Sequence, residues 1–370
     1  MPPPRVAREI LFRVIALALG AGVALVLSEG LIRIAAPKTV ETSDFSRFDP
    51  WLGWTNRPGA AGVMRDAGRY DSFARINSRG LRDREIDPVR KVGIRVLCLG
   101  DSFTWGWSVG DDETYPKVLE RELAGVEAVN AGVCAWGTAQ ELVWLEREGF
   151  GYGPDVVTLG FYLNDFADNA SDTMFGYRRP MYVLEGGRLV LKSVPIPMPR
   201  KGALESVRAF FRKHLLTPRL LLAAWQWFDR GFLRAADVTP IRRARLRSSG
   251  PHPPPAEAET GAILEEAKRV CEARGVRFLV LAIPSVCQVR PSAPLPCRAQ
   301  DEATYATLIR LCRQAKIDVV EPLDEMRAAE ASGLPVFPPS EFHWNAAGHR
   351  IAAQLLAQRL AARLRYPPRN

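Results

Sequence analysis

The chain has 370 residues, enough for one large or two modest domains, and its 47% apolar and 25% charged content is that of a globular protein with a sizeable core. A net charge of +9 arises from 50 basic against 41 acidic residues, but the densest basic cluster, Arg242 to Arg247, lies in a Pro- and Ser-rich stretch without interleaved aromatics. That pattern reads as a solvated linker and argues against a nucleic-acid partner.

At the N-terminus, Arg5, Arg8 and Arg13 precede the apolar run Val14–Leu27. The run is shorter than the roughly 20 residues of a full span, and no clear cleavage site follows. It reads as an uncleaved signal anchor over residues 1–36, with a buried amphipathic helix as the plain alternative. The expected location is the inner (cytoplasmic) membrane, single-pass, with the remainder periplasmic or otherwise extracytoplasmic.

Residues 37–92 carry Asp49-Pro-Trp-Leu-Gly-Trp54 and Asn77-Ser-Arg-Gly-Leu-Arg82, which read as short strands and turns in a small leading appendage. From Ile94 strands and helices alternate: strand 94–99, helix 115–123, strand 127–130, helix 138–148, strand 155–162. The rhythm breaks after Asn169 with a hairpin over 181–191, then helices over 206–214 and 218–233 and an Arg/Pro-rich loop. It resumes with helix 261–274, strand 277–283, helix 301–315, strand 318–321 and helix 346–364. Such alternation predicts an α/β fold, a three-layer α/β/α sandwich on a parallel sheet of flavodoxin-like type. Residues 93–169 and 260–366 form its core and 170–259 an insertion.

Gly100-Asp-Ser-Phe103 follows the apolar run Val96–Leu99 directly. A serine there is presented at the carboxyl edge of a parallel sheet, where open α/β folds place their chemistry. Three further segments stand in order behind it: Asn130-Ala-Gly132, Gly160-Phe-Tyr-Leu-Asn-Asp165, and Glu341-Phe-His-Trp-Asn345 with Gly348-His349. Together they offer a nucleophile, backbone and side-chain amides and a late histidine, the parts of an acyl-transfer site. Asp101 and Asp165 read as braces for backbone turns, and His349 as a structural residue of the last helix. Only four histidines are present, and the six cysteines show no metal spacing, so neither a metal site nor a cofactor is expected. Cys98 reads as a core residue, and Cys287 with Cys297 as a possible disulfide in an oxidising compartment.

In these four blocks the chain resembles the SGNH/GDSL-type hydrolases. It is more closely similar to membrane-anchored bacterial members that carry the Asp49–Trp54 and Asn77–Arg82 patterns. The resemblance covers most of 45–170 and 260–365. It implies Ser102 as nucleophile, His343 as base, and an oxyanion hole from the amides of Ser102 and Gly132 and the side chain of Asn164. The family usually places Asp three residues before the histidine, where this chain has Ser340. Glu341, two before, is expected to replace it, with a backbone carbonyl or Asp324 as alternatives. Trp105, Trp107, Trp136 and Trp344 fall in or beside the motifs, either as core packing or as a platform for sugar rings. The function implied is serine-esterase cleavage of an O-acyl, typically acetyl, ester on an envelope or extracellular glycan or a lipid. The alternatives are a polysaccharide O-acyltransferase using the same acyl-serine and a non-catalytic glycan-binding protein on a degenerate fold.

Overall fold

The computed structural model describes residues 4–35, 40–42, 44–66, 69–89, 93–174, 176–198, 254–290, 295–339 and 341–364. The helices expected over 206–214 and 218–233, and the Arg242–Arg247 cluster, lie outside them. The chain divides into two units, Met1–Thr39 with Pro199–Arg243, and Val40–Met198 with Ala244–Asn370.

In the first unit the described element is helix α1 (Pro4–Ala35). The expected membrane-spanning anchor finds no support here. Among the described residues, no helix is long and apolar enough to cross a membrane.

The second unit begins with five short strands, β1 (Val40–Thr42), β2 (Ser46–Asp49), β3 (Gly53–Asn56), β4 (Ala61–Asp66) and β5 (Tyr70–Arg75). They pair antiparallel as β2-β3 and as β1-β4-β5. The central elements follow: β6 (Ile94–Gly100), α2 (Ser102–Trp105), α3 (Tyr115–Glu122), β7 (Val126–Asn130), α4 (Thr138–Arg147), β8 (Val156–Tyr162) and α5 (Asp165–Asn169). Two small antiparallel pairs come next, β9 (Thr173–Met174) with β10 (Tyr177–Arg178), and β11 (Met181–Glu185) with β12 (Arg188–Lys192). The last part contains α6 (Pro254–Glu272), β13 (Arg277–Ile283), α7 (Val286–Val289), α8 (Leu295–Gln314), β14 (Asp318–Val320), α9 (Leu323–Ala331) and α10 (Ala346–Leu364).

Five strands form one parallel sheet in the order β14-β13-β8-β6-β7. Its strands are apolar on both faces, as a sheet covered by helices on each side requires. Alternation sorts the residues. Val96 and Cys98 point into a cluster with Leu119 of α3 and Leu356 of α10, whereas Leu97 and Leu99 point into one with Leu142 of α4, Leu264 of α6 and Leu308 of α8. This is the three-layer α/β/α sandwich. Cys98 is fully buried, and burial pushes its thiol up to about 12.

From β6 the chain passes to β7 on one side and then to β8 on the other. The order therefore reverses at the carboxyl end of β6, the position at which such sheets bind ligands. Ser102 stands there. Cys287 is disulfide-bonded; the side chain of Cys297 lies outside those described.

Candidate active site

Gly100 ends β6 with φ +148, and a Cβ there would stand 2.0 Å from Thr104 Oγ1. Only glycine lets the strand turn this sharply into α2. Asp101 caps the helix, its Oδ1 accepting from the Phe103 amide at 2.8 Å. That fixes Ser102 as the first helical residue, half-buried above the sheet edge.

His343 arrives from the far end of the chain. Its loop is held by Asn345, whose Oδ1 accepts from the amides of Ala347 and Gly348 at the start of α10 and whose Nδ2 donates to Pro335 O at 2.8 Å. Gly348 is needed because a Cβ would lie 2.8 Å from both Trp344 Cβ and Val336 O. Ser108, after α2, donates its hydroxyl to Trp344 O at 3.2 Å and ties the two loops together. Phe103 packs 5.0 Å, centroid to centroid, from the His343 ring.

The result is a line of three side chains. Ser102 Oγ lies 2.8 Å from His343 Nε2, and His343 Nδ1 lies 3.0 Å from Glu341 Oε1. Glu341 Oε1 also accepts from the Phe342 amide at 2.8 Å and the His343 amide at 3.3 Å. Burial by itself raises a carboxyl's pKa, but the hydrogen bond to His343, its charge and these two amides outweigh it and hold Glu341 below the usual carboxylate range. Asp324 stands elsewhere, on α9, with its side chain 92% exposed beside Arg327.

Asn164 follows β8. Its Nδ2 donates to Asp168 Oδ2 at 2.7 Å, and its Oδ1 is buried without a hydrogen-bond partner. Asp168 is in turn held by Arg179, at 3.0 Å. Gly132 follows β7. Its amide donates to Asn130 Oδ1 at 3.0 Å, and a Cβ there would lie 2.3 Å from the Trp105 amide nitrogen. The glycine is required by the close approach of α2, and its N–H is already engaged.

The aromatic expectation is corrected. Trp105, Trp136 and Trp344 are each 0% exposed and cannot stack on a ligand. Trp136 donates to Trp54 O at 2.8 Å, and Trp105 lies in a cluster with Phe45, Met64 and Ile76 of the leading segment. The half-buried aromatics at the site are Trp107 and Phe342, with ring centroids 6.0 and 4.0 Å from His343. Tyr70 of β5 and Trp107 both pack against the Trp105 cluster, so the leading segment reaches the site.

His349 sits on α10, wholly buried, its Nδ1 accepting from the Tyr115 amide at 3.2 Å. Burial and the nearby Arg82 charge push its pKa down to about 3, leaving it neutral. Sequence reasoning missed Glu141 of α4, which is fully buried with neither carboxylate oxygen hydrogen-bonded. Burial, then the proximity of Asp101 and Asp168, drives its pKa well up. Asp165 is raised in the same way, by burial and then by Glu141, and Asp101 is pushed up to about 7. No group of ligating side chains suited to a metal ion occurs among the described residues.

Residues 98–351 match the model of the GDSL-like Lipase/Acylhydrolase family. No curated protein matches the chain. Similar solved structures include an acetyl xylan esterase, AlAXEase, 12% identical with a TM-score of 0.42, the match covering 72% of this chain and 100% of that one. Another is LAE5, an alpha/beta hydrolase enzyme from the metagenome of Lake Arreo, Spain, 15% identical with a TM-score of 0.41, over 74% and 96% of the two chains. A third is a lipase/acylhydrolase from Enterococcus faecalis, 12% identical with a TM-score of 0.41, over 75% and 99%.

Proposed function

Given that the chain belongs to the GDSL-like lipase/acylhydrolase family, a family of ester-hydrolysing enzymes, we propose that it cleaves an O-acyl ester through a covalent acyl-Ser102. The observation that carries this reading is the Ser102–His343–Glu341 line, with separations of 2.8 and 3.0 Å.

An ionised carboxylate only accepts hydrogen bonds. Glu341, held low, therefore requires the proton of His343 on Nδ1. This leaves Nε2 free to accept from the Ser102 hydroxyl. As Ser102 Oγ attacks the ester carbonyl, its proton passes to Nε2 and the carbonyl electrons move onto oxygen. The imidazolium, stabilised by Glu341, then protonates the leaving alcohol as the C–O bond breaks. Water repeats the sequence on the acyl-serine and releases the acid. The Ser102 amide, at the start of α2, and the Asn164 side chain are the donors assigned to the oxyanion. A third donor assigned is the Gly132 amide, which at rest donates to Asn130 Oδ1.

The substrate class we assign is an O-acylated glycan or lipid outside the reducing cytosol. Trp107 and Phe342 provide a half-buried aromatic rim beside His343, suited to the apolar face of a sugar or to an acyl chain. The disulfide at Cys287 fits an oxidising compartment. The test is release of acetate from an acetylated polysaccharide, and of p-nitrophenol from its acetate, by wild type and Ser102→Ala. Release by the wild type that disappears in the variant supports the reading. Equal release by both overturns it.

A further inference from the structure

We infer that Arg82 is a positioning residue for Ser102, acting through α2, and that the leading segment is thereby part of the machinery. This rests on the reading of Ser102 as nucleophile.

Helix α2 has four residues, far too few to be stable by its own hydrogen bonds. Its C-terminal carbonyls need partners from elsewhere. Ser102 O accepts from the amides of Gly106 and Trp107. The carbonyls of Trp105, the last residue of the helix, and of Gly106, its C-cap, both accept from Arg82 Nη1, at 2.9 and 2.5 Å. Arg82 Nη2 donates to Val109 O at 2.7 Å, and Nε donates to Asp111 Oδ1 at 2.9 Å. One guanidinium thus fastens the end of the helix to the turn that follows it. It also lies over the Trp105 ring, 4.4 Å from the centroid. Its side chain is 0% exposed. Burial lowers the pKa of such a group, and the opposing charge of Asp111 offsets this.

The leading segment is built to aim this side chain. Asn77 Oδ1 accepts from the amides of Arg79 and Leu81, its Nδ2 donates to Arg84 O, and Gly80 turns with φ +85. Asp83, next in the chain, accepts from the Asn130 amide at 2.9 Å and pairs with Lys117 at 2.8 Å, which locks the loop to the core. A lysine could not replace the arginine. It lacks the planar fork that reaches two carbonyls from one nitrogen and two more acceptors from the others, and it cannot stack flat on the indole.

The experiment uses Arg82→Lys, with Asp111→Asn as a gentler second variant. It reads hydrogen exchange of the amides of residues 102–111 and the rate of fluorophosphonate labelling at Ser102. The expected result for Arg82→Lys is at least tenfold faster exchange in 102–111, unchanged protection in β6 and β8, and at least tenfold slower labelling. Asp111→Asn shifts both readouts in the same direction by less. In Arg82→Gly, added methylguanidinium partly restores the labelling rate. Wild-type exchange and labelling in a folded Arg82→Lys overturn the inference. A uniform loss of protection across the sheet does the same, by making Arg82 a general stabiliser. Should Arg82→Lys fail to fold, Asp111→Asn decides by the same two readouts. If the wild type takes no label, the reading of Ser102 fails by itself, and exchange in 102–111 still decides whether Arg82 holds the helix.

Discussion

Glu341 Oε1 meets His343 Nδ1 at 3.0 Å although only one residue separates them in the chain. The same oxygen accepts from the amides of Phe342 and His343, so the carboxylate is the centre of a tight turn around the histidine's own backbone. Family members usually place an aspartate three residues before the histidine, and here that position is Ser340. The extra methylene of glutamate compensates for the shorter separation.

The first prediction concerns that carboxylate. In Glu341→Gln the amide fixes the His343 tautomer less well and cannot stabilise an imidazolium. Loss of an orienting carboxylate of this kind costs about 10⁴-fold in kcat. We expect kcat to fall by about 10²–10⁴-fold with KM changed little. Steady-state kinetics on a soluble ester check this, and a variant within threefold of wild type contradicts it.

Gly132 and the buried tryptophans predict stability effects. In Gly132→Ala the new methyl is driven against the Trp105 amide, and overpacking of this kind costs about 1–3 kcal/mol. Chemical denaturation measures it. Trp136→Ala, which empties a fully buried site and removes the bond to Trp54 O, is expected to cost about 3–5 kcal/mol. An unchanged denaturation midpoint in either variant speaks against the packing described.

Trp107→Ala is expected to behave differently. Its ring is half-buried beside His343, and an aromatic contact with substrate contributes about 0.5–1.5 kcal/mol. KM for an acetylated glycan should rise by roughly two- to tenfold, while turnover of a small acetate ester stays nearly constant. An equal effect on both substrates removes the rim from the account.

Glu141 predicts a pH dependence. Its folded-state pKa is raised well above the ordinary 4.5, so the folded protein holds this proton more tightly than the unfolded chain. The associated stability is complete below pH 4.5 and is lost as pH rises toward the folded value. Asp101 acts in the same sense between 3.8 and about 7. Glu141→Gln cannot ionise. Its stability relative to wild type should therefore increase between about pH 4 and about pH 7. Denaturation at the two ends of that range tests this, and a relative stability that is flat or falls with pH contradicts it.

The parts of this molecule that local sequence determines were readable from it. Apolar runs at β6, β8 and β13 announced buried parallel strands, and Gly100-Asp101-Ser102 announced the turn at a sheet edge. Glu341 stands two residues before His343, and the family resemblance pointed to it as the partner. What escaped depends on tertiary contact. Glu141 is a carboxylate in a helix and reads as a surface charge, yet it is fully buried. Trp105, Trp136 and Trp344 flank motif residues, but adjacency in sequence does not say on which side of a loop a ring falls. Gly132 read as room for an oxyanion, and the close backbone of α2, which also requires a glycine there, was invisible in one chain. Arg82 stood in a recognisable motif whose acceptors lie some two dozen residues further on. The N-terminal apolar run was legible as a helix, and among the described residues no helix is long and apolar enough to cross a membrane.

The most direct test of the central claim is covalent labelling of the protein by a fluorophosphonate, with the adduct located by mass spectrometry. The account predicts one adduct, on Ser102, whose rate of formation falls by at least about a hundredfold in His343→Ala and by a smaller factor in Glu341→Gln. A folded wild type that takes no label, or takes it at another serine, or labels at the same rate without His343, contradicts it.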